Sequence, residues 1–197
     1  MALIKTNARS ATALDATILT GNLPAINGSA LTNLVAGKIG QVVSASKQTV
    51  ASFSSSSTNT FVDLSGLTLN ITPSATSSKI LILSTACIAE STSATIHVRL
   101  LRDSTVINGG DPQSSQLDSM NSVRYQSATP YGQALYDVSQ NFLDSPNTTS
   151  QITYKLQGTL GASYSGTYYL NRSDSDSDAD FGARTPSNLT AMEILAW

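Results

Sequence analysis

From about Gly40 onward, apolar and polar residues alternate in short bursts separated by turn residues. Val42-Val43 and residues 50–53 frame a first pair of strands. In residues 61–71, Leu67, Leu69 and Ile71 alternate with Thr68 and Asn70, and Thr72-Pro73-Ser74 breaks the run. A period of two places one set of side chains on one face of a strand. Residues 79–88 form a near-continuous apolar run, the pattern of a strand covered on both faces. Alternation returns over 95–101, with Ile96, Val98 and Leu100 on one face. Arg102-Asp103-Ser104 turns the chain into Val106-Ile107, and Asn108-Gly109-Gly110-Asp111-Pro112 signals a loop. Residues 131–142 make a long strand. Ile152, Tyr154 and Leu156 oppose Thr153, Lys155 and Gln157 in the next, and 189–197 forms an apolar final strand.

Helical periodicity is not sustained anywhere, with residues 11–19 the one stretch free enough of Ser, Thr, Gly and Asn to form a helix. Many short strands at near-regular spacing predict an all-β protein, an antiparallel β-sandwich of jelly-roll type over residues 39–197. Residues 1–38 differ. Pro24 blocks a continuous helix, and Gly21 and Gly28 mark turns. This segment is expected to be extended or partly helical. Its apolar residues, among them Leu19, Leu23, Ile26, Leu31 and Leu34, are too few to build a core. They are expected to find partners on copies of the same segment or on a neighbouring protein, giving an attachment and oligomerisation segment.

Composition narrows the function. Only 12% of the 197 residues are charged, about half the roughly 25% of an ordinary soluble domain. Hydroxyl and amide side chains must therefore cover the surface. The net charge of −2 offers no basic field for phosphates, so nucleic-acid binding is not expected. No apolar run reaches the length of a membrane span, and residues 1–19 lack a signal-peptide core. The expected site of synthesis is a cytoplasm. The lone Cys87 sits in an apolar run and reads as a buried small hydrophobe.

Catalytic chemistry finds little support. The single histidine, His97, alternates with Ile96 and Val98 and so lies on the less apolar face of its strand, exposed or at an interface. No G-x-S-x-G turn accompanies it. Carboxylates that would suit glycoside hydrolysis are Asp63, Glu90, Asp103, Asp111, Asp118, Asp137, Asp144 and Glu193, but nothing in the sequence pairs two of them. The chain is expected not to be an enzyme and to use no cofactor. In the run 174–182, Asp174, Asp176, Asp178 and Asp180 resemble a calcium loop. An EF-hand needs Gly at the sixth position and Glu at the twelfth, which here are Ala179 and Thr185. Carboxylates two apart would share one face of an extended strand and repel unless a cation bridges them, so these four form a weak metal candidate beside the plainer reading of a solvated loop. All seven tyrosines lie between Tyr125 and Tyr169. Tyr164, Tyr168 and Tyr169, beside Gly161 and Gly166, are the candidate binding residues, suited to stacking on sugars or to packing in an oligomer.

The stretch LTGNLPAINGSALTNL at 19–34 resembles a segment common in tail-fibre and other structural proteins of tailed bacteriophages, where it precedes a β domain. FVDLSGLTLNITPSATSSKILIL at 61–83, HVRLLRDSTVI at 97–107 and NLTAMEILAW at 188–197 are similar to runs in the β-sandwich heads of fibre-like phage proteins. The resemblance implies a homotrimeric virion structural protein, assembled in the host cytoplasm. It would be attached to other virion proteins through its N-terminal segment, with a head that touches host-surface glycans. Because so little precedes the sandwich, a short tail or collar fibre or a capsid decoration fits better than a long fibre. A glycan-degrading tailspike is the remaining alternative.

Overall fold

The computed structural model describes residues 38–56, 59–91, 94–124, 134–161, 165–180 and 182–195. The expectations for Leu19, Leu23, Ile26, Leu31 and Leu34 lie outside the described residues, as does Tyr164. The described strands are β1 (Ile39–Lys47), β2 (Ala51–Ser56), β3 (Val62–Ile71), β4 (Lys79–Glu90), β5 (Thr95–Arg102), β6 (Thr105–Val106), β7 (Asn121–Arg124), β8 (Tyr136–Asp144), β9 (Ile152–Leu160), β10 (Ser165–Leu170) and β11 (Ser187–Ile194). The described residues form an all-β fold, an antiparallel β-sandwich.

Registers reduce these strands to a simpler plan. In the first sheet, β4 pairs with β8 along one side. Along its other side β4 meets first β10, at Ile88–Glu90, and then β11, at residues 79–85. β10 and β11 therefore lie end to end in one lane. β1 and β2 follow them end to end in the edge lane, β1 on β11 and β2 on β10. In the second sheet β9 lies between β3 and β5, and β7 and β6 share the far side of β5. Numbered along the chain, the lanes run 1-8-3-6 in one sheet and 2-7-4-5 in the other. The pairs are nested, 1 with 8, 2 with 7, 3 with 6 and 4 with 5, and this is the winding of a jelly roll.

The core is what the alternation predicts. Leu67, Leu69 and Ile71 on β3, Ile96, Val98 and Leu100 on β5, and Ile152, Tyr154 and Leu156 on β9 are all buried between the sheets. On β3, Leu64 and Leu67 both point inward although three positions apart. The strand slips register between Asp63 and Thr68, and Gly66 at φ 85° takes the bend.

Three expectations change. Val42-Val43 and residues 50–53 do not pair with each other, because the chain between them continues along the sheet edge instead of reversing. Asn171 holds that junction. Its Nδ2 donates to the carbonyls of Lys47 (2.6 Å) and Thr49 (3.1 Å), and its own N–H bonds to the Cys87 carbonyl (2.8 Å). Second, β4 is covered on both faces only from Ala86 onward; in its first half Leu83 is 43% exposed. Third, β7 and β10 form strands that the sequence pattern did not mark, and the long strand of 131–142 is described from Tyr136 and runs on to Asp144.

Glu193 ties the entry of the chain to the β3–β4 turn. Its carboxylate accepts from Gln41 Nε2 (2.8 Å), Ser74 N–H (2.7 Å) and Ser74 Oγ (2.6 Å). Burial alone would raise its pKa, but these donors outweigh burial and hold it at about 2. The folded pKa lies below the ordinary carboxylate value, so this stabilisation is complete above about pH 4.3 and is lost as pH falls toward 2. Glu193→Gln is expected to flatten the acid limb of a melting-temperature profile between pH 5 and 2. Parallel profiles for the two proteins would refute this role.

Candidate functional site

Tyr168 was a candidate ligand contact, and the structure places it in the core. It is 1% exposed, its ring stacks on Phe53 at 5.2 Å, and its hydroxyl donates to the Gly158 carbonyl (2.9 Å). A residue so enclosed meets no receptor. Tyr169, its neighbour on the opposite face, is half-buried beneath the Arg172 guanidinium at 3.8 Å. Burial first, and then the Asp174 carboxylate, push its phenol pKa up.

The aspartate run is not an extended strand. Bonds from Asp176 N–H to Asp174 O, Ala179 N–H to Ser177 O and Gly182 N–H to Ala179 O curl it, so the carboxylates do not line one face. Asp176 is already paired: Arg184 Nε and Nη2 donate to its two oxygens at 3.0 and 2.8 Å and hold its pKa down. Among the described residues, no group of three or more His, Cys, Asp or Glu is placed to hold a metal ion. The structure thus places Asp174, Asp176, Asp178 and Asp180 in a loop that Arg184 fastens at Asp176, in keeping with the plainer of the two readings.

Most of the candidate glycosidase carboxylates are occupied by structural bonds. Asp63 accepts from Gln157 and Lys155, Glu90 from the Ala94 N–H, Asp103 from the Thr153 N–H, and Asp144 from Arg102 and Tyr154. Cys87 is buried, and burial followed by the adjacent Asp137 raises its thiol pKa, the reverse of what a nucleophile needs.

A different constellation emerges on the outward face of the second sheet. Alternation turns His97 and Arg99 outward from β5, opposite Thr159 and Gln157 of β9. Arg99 donates to Gln157 Oε1 from Nε (2.9 Å) and Nη2 (2.7 Å), and lies 3.9 Å over the Phe61 ring. Gln157 passes the chain of bonds to Asp63 (2.6 Å). Beyond this ladder the loop between β6 and β7 is anchored by Ile107 N–H on Leu100 O and Met120 N–H on Val98 O. Between the loop and the sheet lies an open cleft of about 610 Å³, lined among others by Asn59, His97, Asp111, Gln116, Ser119 and Ser122.

Two atoms of the lining, Asn59 Oδ1 and His97 Nδ1, are buried without a hydrogen-bond partner. Such atoms cost free energy until something bonds to them. Burial lowers the His97 pKa, so the imidazole is neutral at pH 7, one nitrogen donating and the other accepting. With Nδ1 unbonded, no carboxylate orients the ring as a serine–histidine relay requires. The arrangement suits a neutral ligand rich in hydroxyls. Sequence reading placed His97 on the right face but missed the cleft; the Asn108–Pro112 loop signal was the clue that something lies over that face.

No protein-family model and no curated protein matches the sequence. Several solved structures align with its fold. The structure of infectious bursal disease virus Gt strain aligns at 14% identity over 88% of this chain and 43% of that one, with a TM-score of 0.42. The T13 particle of the same virus aligns at 15% identity over 88% and 40%, with a TM-score of 0.42. Its VP2 subviral particle aligns at 14% identity over 79% and 38%, with a TM-score of 0.40. The chain spans less than half the length of each, and a likeness at this level assigns no function.

Proposed function

We infer that this chain is a structural protein of a virus particle, non-enzymatic and fibre-like. In this reading it is a homotrimer fixed to other virion proteins through its N-terminal segment, and its jelly-roll head contacts neutral host-surface glycans. The observation that carries the reading is the cleft beside His97. It faces outward and is lined by hydroxyl, amide and imidazole side chains, while several of the carboxylates that hydrolysis would use are spent on holding the fold. The scarcity of charge and the resemblance of residues 19–34 to phage fibre segments support the same reading.

The full chain is tested against immobilised neutral oligosaccharides. Binding is expected, weakened roughly 2- to 10-fold by His97→Ala through the loss of one hydrogen bond, with the melting temperature unchanged. Equal binding by the variant would remove the cleft from the reading, and released sugar products would overturn its non-enzymatic part. An antibody to the head, viewed on purified particles, is expected to label a few sites at the tail or collar. Label spread over the capsid would favour a decoration protein, and no label would overturn the virion assignment.

A further inference from the structure

The outward face of the first sheet is of another kind. Its registers align Val42 of β1, Met192 of β11, Leu81 of β4 and Leu143 of β8 in one row across four strands. Residues paired across strands share a face, so all four side chains point away from the core. Ile39 and Ile194 pair beside this row, and Leu83 lies in the next. Ile39, Val42, Leu83 and Leu143 are the exposed large hydrophobics of the described chain, at 43–55% exposure, and all four lie here.

The backbone itself contributes to the patch. Ile39 and Val42 are three apart, and a regular strand would turn one of them inward. The register slip between them puts both on the outward face. A sandwich needs polar residues there, and the second sheet supplies them in Asp63, Arg99, Lys155 and Gln157. A contiguous apolar patch on only one of two outward faces marks a contact surface.

We propose that this face is covered by a second copy of the same chain, the ridge of one copy resting against the polar groove of the next. The proposal rests on the oligomeric part of the reading above and names its interface. Three observations select a copy of self. The row Val42, Met192, Leu81 and Leu143, and the rows Ser44–Thr190–Leu83–Asn141 and Ser46–Asn188–Thr85–Ser139 beside it, contain no charged residue. These three rows meet without like-charge repulsion; the charges of the face stand in the flanking rows, Lys79 beside Ile194 and Asp137 beside Cys87. The face also carries both halves of a fit: next to the apolar ridge runs a shallow groove of about 330 Å³, lined by Leu83, Thr85, Ser139, Asn141, Asn188 and Thr190. Finally, strand spacings give the face about 450 Å², below the roughly 800 Å² per partner of a standard stable complex. Such a contact holds when copies are already gathered. The chain enters the sandwich at Ile39, inside the patch, so whatever gathers copies through the preceding residues gathers their patches too.

The test uses the full chain with single cysteines at Leu143 (L143C) and Asn188 (N188C), and at Thr68 (T68C) on the outward face of β3 as control. Native Cys87 is buried and sets the background. Light scattering gives the mass, and a short bismaleimide reports which faces are adjacent. An oligomer in which L143C and N188C cross-link into multimers, with T68C no higher than wild type, supports the proposal. An oligomer in which L143C and N188C cross-link no more than T68C overturns the proposal and leaves the oligomeric reading standing. A monomer at all concentrations overturns both.

Discussion

Replacing Asp144 by alanine is expected to lower the free energy of unfolding by about 3–5 kcal/mol, because one buried carboxylate accepts several hydrogen bonds and its loss leaves the buried Tyr154 phenol and the part-buried Arg102 guanidinium unsatisfied. Asp144 ends β8 in the first sheet. Arg102, at the end of β5 in the second, reaches its two oxygens from Nη1 at 2.8 and 2.9 Å. Tyr154 of β9 donates its hydroxyl at 2.6 Å, and the Ser145 N–H adds a fourth bond at 2.9 Å. Burial, and then this bond to a carboxylate, raise the Tyr154 phenol pKa far above its ordinary value. One carboxylate thus joins two strands of one sheet to a strand of the other, where the two sheets would otherwise part. Alanine leaves a guanidinium and a buried phenol without their acceptor. The double replacement Arg102→Met with Asp144→Leu is expected to recover much of the loss, because an apolar pair leaves nothing unsatisfied. Urea denaturation measures both. A loss below about 1 kcal/mol for alanine, the range of an exposed pair, would show that the clamp is not stabilising.

Tyr168→Ala is expected to cost a similar amount, about 3–5 kcal/mol, through the cavity left by a large enclosed ring. The ring crosses from β10 to β9 and fills the space above Gly158. A β-carbon at Gly158 would stand 3.1 Å from Leu64 Cδ2 and 3.3 Å from Tyr168 Cε2, so the glycine and the tyrosine fit as a pair. Tyr168→Phe keeps the stacking on Phe53 and loses only the bond to the Gly158 carbonyl, an expected cost of about 1–3 kcal/mol for an acceptor left unpaired. Thermal unfolding of the two variants separates ring from hydroxyl. An alanine variant as stable as wild type would return Tyr168 to the surface.

These two residues also show where a sequence stops being informative. The alternations on β3, β5 and β9 were readable because period two is local: each residue's face follows from its neighbours two positions away. Tyr168 and Leu170 follow the same alternation, with Tyr169 between them, but the clustering of tyrosines drew attention to chemistry instead. Whether a tyrosine is core or surface depends on a partner such as Phe53, more than a hundred positions away, and no local pattern reports that. The end-to-end placement of β1 with β2 was hidden for the same reason, since it rests on Asn171 bonding back to Lys47 and Thr49. On β4 the surplus of apolar residues was visible. Reading it as cover on both faces was half right: the outward cover is missing for Leu81 and Leu83 among the described residues.

The nested lanes have a kinetic consequence. Ile39 is aligned with Ile194 and Lys47 with Ser187, so the earliest of these strands cannot find its neighbour until β11 has left the ribosome. By contrast, β5 and β6 are joined by a tight turn at Asp103-Ser104 and can meet within microseconds. Assembly is therefore expected to spread from the β5–β6 turn outward, each added pair closing a longer loop than the last. Folding governed by such distant pairings is slow, in the range of milliseconds to seconds for all-β topologies. During that interval β4 stands without β11 and displays its apolar run unprotected. The charge-poor chain has little repulsion to keep neighbours apart then, and crowding during synthesis is the condition under which it is most prone to aggregate.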